Sequence, residues 1–223
     1  MRMSKKKHLD ERLAACSGVC LGWLPDPVHD NANCAPLLNI GEVFGNDKPL
    51  RIEIGCGKGR FANTIAAREP DVNFIAVEQT PNVIVAAMEQ TVQAQLPNLR
   101  YLMGKAEYLA KVIPPKSAER IYLNFSCPFP KSKYAKHRLT SPLFLDIYRE
   151  LLCDGGYIVQ KTDNRDFFDY SLESYGQNGF ETPVVSFDLH NSGITGNIIT
   201  EYEQRFLAQG LPIYYLEARL KNK

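Results

Sequence analysis

The run Leu50 to Ile54 followed by Gly55-Cys56-Gly57-Lys58-Gly59 constrains this chain more than any other feature. A short β-prone segment closed by alternate glycines, with a helical pattern continuing to about Arg68, reads as the opening strand–turn–helix of an α/β sheet. Glycine at those positions lets the backbone turn tightly and lets a ligand approach where a Cβ would block it. In such sheets the ligand lies outside the carboxyl ends of the strands, so the turn also predicts where a site should be.

The rest of the chain supplies the units that such a sheet needs. Asn73 to Val77 reads as a second strand ending at Glu78, and Pro81 opens a helix at its first turn, where the missing N–H is harmless. Leu99 to Met103 and Arg120 to Phe125 read as the third and fourth strands. A helix follows Ser141-Pro142 and is expected to run to Cys153, closed by Gly155-Gly156. Tyr157 to Lys161 is the fifth strand, followed by Thr162-Asp163-Asn164 and another helix. Two further strands are expected near Val184–Phe187 and Ile213–Glu217, with a helix from about Thr200 between them. Strands alternating with helices predict a doubly wound, mostly parallel sheet.

Residues 1–48 read differently. They carry a basic start (Lys5, Lys6, Lys7), scattered cysteines and the turn-rich stretch LPDPVHDNANCAP, and are expected to be a basic, irregular N-terminal extension to a domain spanning 49–223. No apolar segment follows the basic start as it would in a secretory signal, and no apolar run is long enough for a membrane span. A cytoplasmic protein that binds no membrane is therefore expected. The six cysteines are then reduced thiols. Cys16, Cys20, His29 and Cys34 form a conceivable ligand quartet, but the C-x3-C spacing and the lack of a knuckle argue against it, and no metal is expected.

Glu78 closes the second strand at about the ~20-residue offset from which a carboxylate holds ribose hydroxyls. Two cofactor classes meet this pattern. A dinucleotide, as in an NAD-linked oxidoreductase, wants G-x-G-x-x-G. Here the third glycine comes one residue early and Glu53 stands two residues before the first, a combination that suits S-adenosylmethionine, which has no pyrophosphate to cradle.

The segment Asn124-Phe125-Ser126-Cys127-Pro128-Phe129-Pro130-Lys131 resembles the NFSDPWPK signature of the bacterial tRNA (guanine-N7-)methyltransferases. Further similar segments occur in the same order: EIGCGKGRF (Glu53 to Phe61), RLTSPLFL (Arg138 to Leu145), KTDN (Lys161 to Asn164), DLHNSG (Asp188 to Gly193) and TEYEQRF (Thr200 to Phe206). Together they cover about residues 50–218. The resemblance implies a class I S-adenosylmethionine-dependent methyltransferase (Rossmann-like) fold, with a seven-stranded sheet and an antiparallel last hairpin. It implies S-adenosylmethionine as cofactor and a guanine in the variable loop of tRNA as substrate. By the same resemblance Glu53, Gly55, Gly57, Gly59, Glu78, Lys105, Ala106 and Cys127 fall at cofactor positions. Lys131, Asp163, Thr200, Glu201, Tyr202 and Glu203 fall on the substrate side, and Cys127 and Asp163 at catalytic positions.

Two departures from the family pattern bear on activity. Its active-site Asp is Cys127 here, with Phe129 in place of the following Trp, and the Asp near the end of the third strand is Lys105, which cannot accept a hydrogen bond. These substitutions leave open an RNA-binding pseudoenzyme of the same fold. The chemistry argues for an enzyme, because N7 of guanine carries an in-plane lone pair and no proton, so methyl transfer needs no obligatory base and depends on positioning. Asp163 is the remaining acid expected to stabilise the cationic product. Net charge is only +1, but Lys131, Lys133, Lys136, His137 and Arg138 cluster directly after the signature. Cations there would neutralise tRNA phosphates, with Tyr134 available to stack.

Overall fold

A computed structural model describes residues 6–25 and 36–221. The chain forms two compact units, one up to Pro114 and the other from Pro115 onward.

In chain order the first unit contains α1 (Leu9–Ala15), β1 (Cys20–Trp23), α2 (Ile40–Phe44), β2 (Leu50–Ile54), α3 (Arg60–Arg68), β3 (Asn73–Glu78), α4 (Pro81–Gln93) and β4 (Leu99–Met103). Its strands lie in the order β1-β4-β3-β2 and all pair in parallel. Every residue of β2 is buried, and β3 is buried up to Val77. Both faces of these parallel strands are covered, so even Arg51 and Glu53, which alternate with the apolar residues of β2, are buried. Ile54 pairs with Val77 and Glu78 with Met103, so β2, β3 and β4 end side by side and their following loops share one rim.

The second unit contains β5 (Ala118–Asn124), α5 (Pro142–Leu151), β6 (Leu152–Thr162), α6 (Arg165–Gln177), β7 (Phe180–Ser186), α7 (Glu201–Leu207) and β8 (Tyr214–Leu220). Its order is β5-β6-β8-β7: β5 and β6 are parallel, and β8 runs antiparallel to both β6 and β7. The expected antiparallel last hairpin is present. Asn124 pairs with Lys161, which sets the signature loop beside Thr162-Asp163-Asn164.

Three expectations need correction. The described residues contain eight strands rather than seven, the additional one being β1 at the edge of the first unit. The segment read as irregular holds α1, β1 and α2, with α1 packed on α4 and β1 hydrogen-bonded to β4. Four residues including a glycine are too few to show a period, so pairing with β4 creates the strand where its own sequence gives no signal. Finally, α5 stops at Leu151 and Gly155-Gly156 lie inside β6. A Cβ at Gly156 would come within 3.0–3.1 Å of the carbonyl oxygens of Ala118, Cys153 and Glu119, so this glycine serves a close backbone approach rather than a helix end.

Candidate active site

On the first unit the rim beyond β2, β3 and β4 is built around the glycine loop. Gly55, Gly57 and Gly59 all adopt positive φ (80°, 57° and 80°), a region that side chains strongly disfavour. Their surroundings differ. A Cβ at Gly55 or Gly57 would meet nothing within 4 Å, whereas at Gly59 it would fall 2.4 Å from the Cβ of Ala87 on α4. Gly59 therefore lets α3 and α4 approach, while the first two glycines leave open space above the backbone. The loop is tied to the sheet by the amides of Gly55 and Cys56, which both donate to the Val77 carbonyl at 2.8 and 3.0 Å. Beneath it, Asn63 donates to the Tyr101 hydroxyl at 3.0 Å and accepts from Thr91 at 2.7 Å, joining α3, α4 and β4.

The carboxylates stand where the sequence predicts. Glu53 is 5% exposed near the end of β2, and Glu78, half-buried at the end of β3, accepts the Thr80 amide at 2.9 Å. Burial pushes the Cys56 thiol well up, and the fields of Glu53 and Glu78 raise it further, so two carboxylates act on the mouth of the loop. Beyond β4, Lys105 is exposed and Ala106 buried at the start of a 3-10 turn. Gly104 approaches Leu24 so closely that a Cβ there would lie 2.8 Å from the Leu24 Cβ, which places the residues after β1 against this rim.

On the second unit the signature loop leaves β5 with Phe125 at φ 52° and Phe129 at φ 41°, two strained non-glycine residues of the kind that gather at functional sites. The Phe125 amide donates to the Lys161 carbonyl at 2.8 Å. Its ring stacks on Tyr202 and Phe206 of α7, at 6.4 and 6.1 Å between centroids and 18° between planes. Cys127 is exposed and Ser126 half-buried. Asp163 lies just beyond β6, and burial raises its carboxyl above the ordinary aspartate range. Asn164 caps α6 by accepting the Phe167 amide at 2.8 Å.

The residues expected on the substrate side differ in environment. Lys131 is exposed, as is Tyr202 at 57%, and Glu201 is half-buried. Thr200 and Glu203 are buried and form a reciprocal cap at the start of α7. Of the basic cluster, Lys131, Lys133, Lys136 and His137 are exposed. Arg138 instead turns inward to the carbonyls of Pro128 and Phe129. Sequence reading missed this role, and missed Lys161, whose side chain is 2% exposed. A lysine in a strand carries no sign that it is buried, since lysine is almost always exposed.

A family profile described as "Putative methyltransferase" matches residues 47–216. The chain is 42% identical over 223 residues, covering 100% of itself and 97% of its relative, to the tRNA (guanine-N(7)-)-methyltransferase of Geobacillus sp. (strain WCH70). It is 48% identical over 218 residues to the protein of the same name from Geobacillus thermodenitrificans, covering 98% and 97% of the two chains. The chain belongs to the tRNA (guanine-N(7)-)-methyltransferase family. Among solved structures it is similar to an antibiotic-related methyltransferase, with a TM-score of 0.61 at 14% identity over 82% of this chain and 92% of that one. That likeness supports the class I methyltransferase fold.

The family's cofactor, S-adenosylmethionine, fits the residues present. Gly55 and Gly57 leave the loop open where a side chain would fill it, and Glu53 and Glu78 are carboxylates of the kind that would suit a cationic ligand carrying ribose hydroxyls. Cys16 and Cys20 are free thiols. His29 and Cys34, the other members of the conceivable metal quartet, lie outside the described residues, as does Lys5. Among the described residues no three His, Cys, Asp or Glu side chains gather as metal ligands, and no helix is long and apolar enough to cross a membrane.

Proposed function

We infer that this chain transfers a methyl group from S-adenosylmethionine to N7 of a guanine in the variable loop of tRNA, acting in the cytoplasm. The observation that carries the reading is identity of 42–48% along nearly the whole chain to tRNA (guanine-N(7)-)-methyltransferases. The glycine loop supports it. The pseudoenzyme alternative gains nothing from the fold: Cys127 is one exposed loop position, and Glu53, Glu78 and Asp163 remain on the strand ends.

Bound S-adenosylmethionine would supply an electrophilic methyl group for transfer to the N7 lone pair. The residues of this chain hold and orient. We propose that Glu53 and Glu78 hold the cofactor, with Lys105 and Ala106 contributing through their backbone and Cys127 through its loop position. Asp163 faces the base, accepting from its N1–H and amino group and stabilising the positive charge that methylation creates. Thr200, Glu201 and Tyr202 form the wall of the base site, and Lys131 with its neighbouring cations neutralises tRNA phosphates.

The test is incubation of the protein with labelled cofactor and unmodified tRNA, followed by borohydride–aniline cleavage, which cuts the chain at N7-methylguanosine. One cut within the variable loop is expected. Label incorporated without cleavage would refute the N7 assignment, and a cut elsewhere would refute the variable loop.

A further inference from the structure

The resemblance to the family places Glu203 among substrate contacts, yet its side chain is 0% exposed and both of its oxygens are engaged. Oε2 accepts from Lys161 Nζ at 2.8 Å and from the Thr200 amide at 3.3 Å. Oε1 accepts from Asn197 Nδ2 at 2.5 Å and lies 3.0 Å from His190 Nε2. Lys161 is equally committed. Its ammonium donates to Glu203, to Asn197 Oδ1 at 3.0 Å and to the Ile198 carbonyl at 2.9 Å, which uses all three of its protons.

A buried ion pair is a poor way to gain stability, because desolvating both charges consumes much of what their attraction returns. Two apolar side chains would fill the space with less difficulty. What the pair supplies is geometry, since it has directional partners on β6, on the 197–198 segment and on α7. The contacts also close on themselves. The Lys161 carbonyl holds the Phe125 amide, its ammonium holds α7 through Glu203, and α7 returns through Tyr202 and Phe206 to stack on the Phe125 ring.

We propose that Lys161 and Glu203 are positioning residues. Their ion pair fixes the end of β6, just beyond which Asp163 lies, to the start of α7, which carries the exposed Tyr202, and so sets the width of the slot that takes the guanine. This rests on the function proposed above. Glu203 acts through Lys161 and the 197–198 segment and does not itself touch the base.

The test compares Lys161→Met with the double variant Lys161→Met/Glu203→Gln, reading thermal midpoint, KM for S-adenosylmethionine and the single-turnover methylation rate on tRNA. Lys161→Met alone strands a buried carboxylate and should lower the midpoint by several degrees. The double variant removes both charges and should regain the midpoint, with KM for the cofactor within twofold of wild type and a methylation rate still at least tenfold down. Return of the rate together with the midpoint would show that the pair serves stability alone, and would overturn the proposal. Asn197→Ala spares the ion pair but takes one hydrogen bond from each charge, and should slow methylation with a smaller loss of midpoint than Lys161→Met; a wild-type rate there also overturns it. A wild-type protein that forms no N7-methylguanosine would overturn the functional reading and this proposal with it, whereas an active wild type beside a fully recovered double variant overturns the proposal alone.

Discussion

The guanidinium of Arg138 lies 4.2 Å over the ring of Tyr170 on α6. From that seat its Nε donates to the Pro128 carbonyl and its Nη2 to the Phe129 carbonyl, each at 3.0 Å. Arginine is suited to this because its fork is planar and presents separate donors while its face stacks on a ring. The cation that sequence grouped with the phosphate-binding cluster thus braces the signature loop, including the strained Phe129.

Arg138→Lys should therefore behave as a loop variant rather than a phosphate variant. Charged hydrogen bonds contribute about 1.5–3 kcal/mol each, so losing one lowers kcat by roughly tenfold or more. The salt dependence of tRNA binding should be unchanged. Lys133→Ala, at an exposed cation, should leave kcat intact and reduce the salt slope by about 1. Filter binding across a salt series beside single-turnover rates separates the two.

The glycine loop predicts an order of damage. Gly57→Ala meets no neighbour and suffers only the left-handed backbone, roughly 1–2 kcal/mol. Gly59→Ala adds a clash with Ala87, which overpacking data put at about 1–3 kcal/mol more. Thermal unfolding should show the larger drop for Gly59→Ala. Equal midpoints would mean that α3 and α4 separate freely.

Asp163 predicts a pH dependence with a definite sign. Burial raises its carboxyl above the ordinary aspartate range. The folded state then binds the proton more tightly than the unfolded one, so stability falls as pH rises from the unfolded-state value through the folded-state value, and is level above it. Asp163→Asn should accordingly be the more stable protein at neutral pH, with its advantage vanishing in acid, and should be strongly impaired in methylation. In the wild type the acid limb of kcat/KM should lie above the usual aspartate range.

Cys127→Asp should raise the methylation rate several-fold with little change in thermal midpoint, because the position is exposed and a new carboxylate there stays hydrated. Rates with saturating cofactor and tRNA check this. A slower Asp variant would mean that the loop has adapted to the thiol.

The central strands were legible as short β-prone segments bounded by turn residues, and β4 lies where Leu99 to Met103 predicts it. Glu53, the glycines and Glu78 were legible because backbone turning and charge at a strand end restrict residue type. Lys161 and Arg138 were not, because a buried or bracing cation is spelled like a solvated one and only its partners differ. The edge strand β1 was hidden for another reason: its partner lies far along the chain, and local pattern cannot report a remote neighbour.

That remote pairing has a consequence for synthesis. Cys20 is aligned with Tyr101 and Trp23 with Met103, a separation of about 80 residues. At about 5–20 residues per second on the ribosome, β1 waits on the order of ten seconds for the strand it must join. During that interval Trp23, still 59% exposed in the finished protein, and the thiols of Cys16 and Cys20 stand open to other proteins and to oxidants. This edge of the sheet is thus completed late, and its protection depends on how quickly the ribosome reaches Met103.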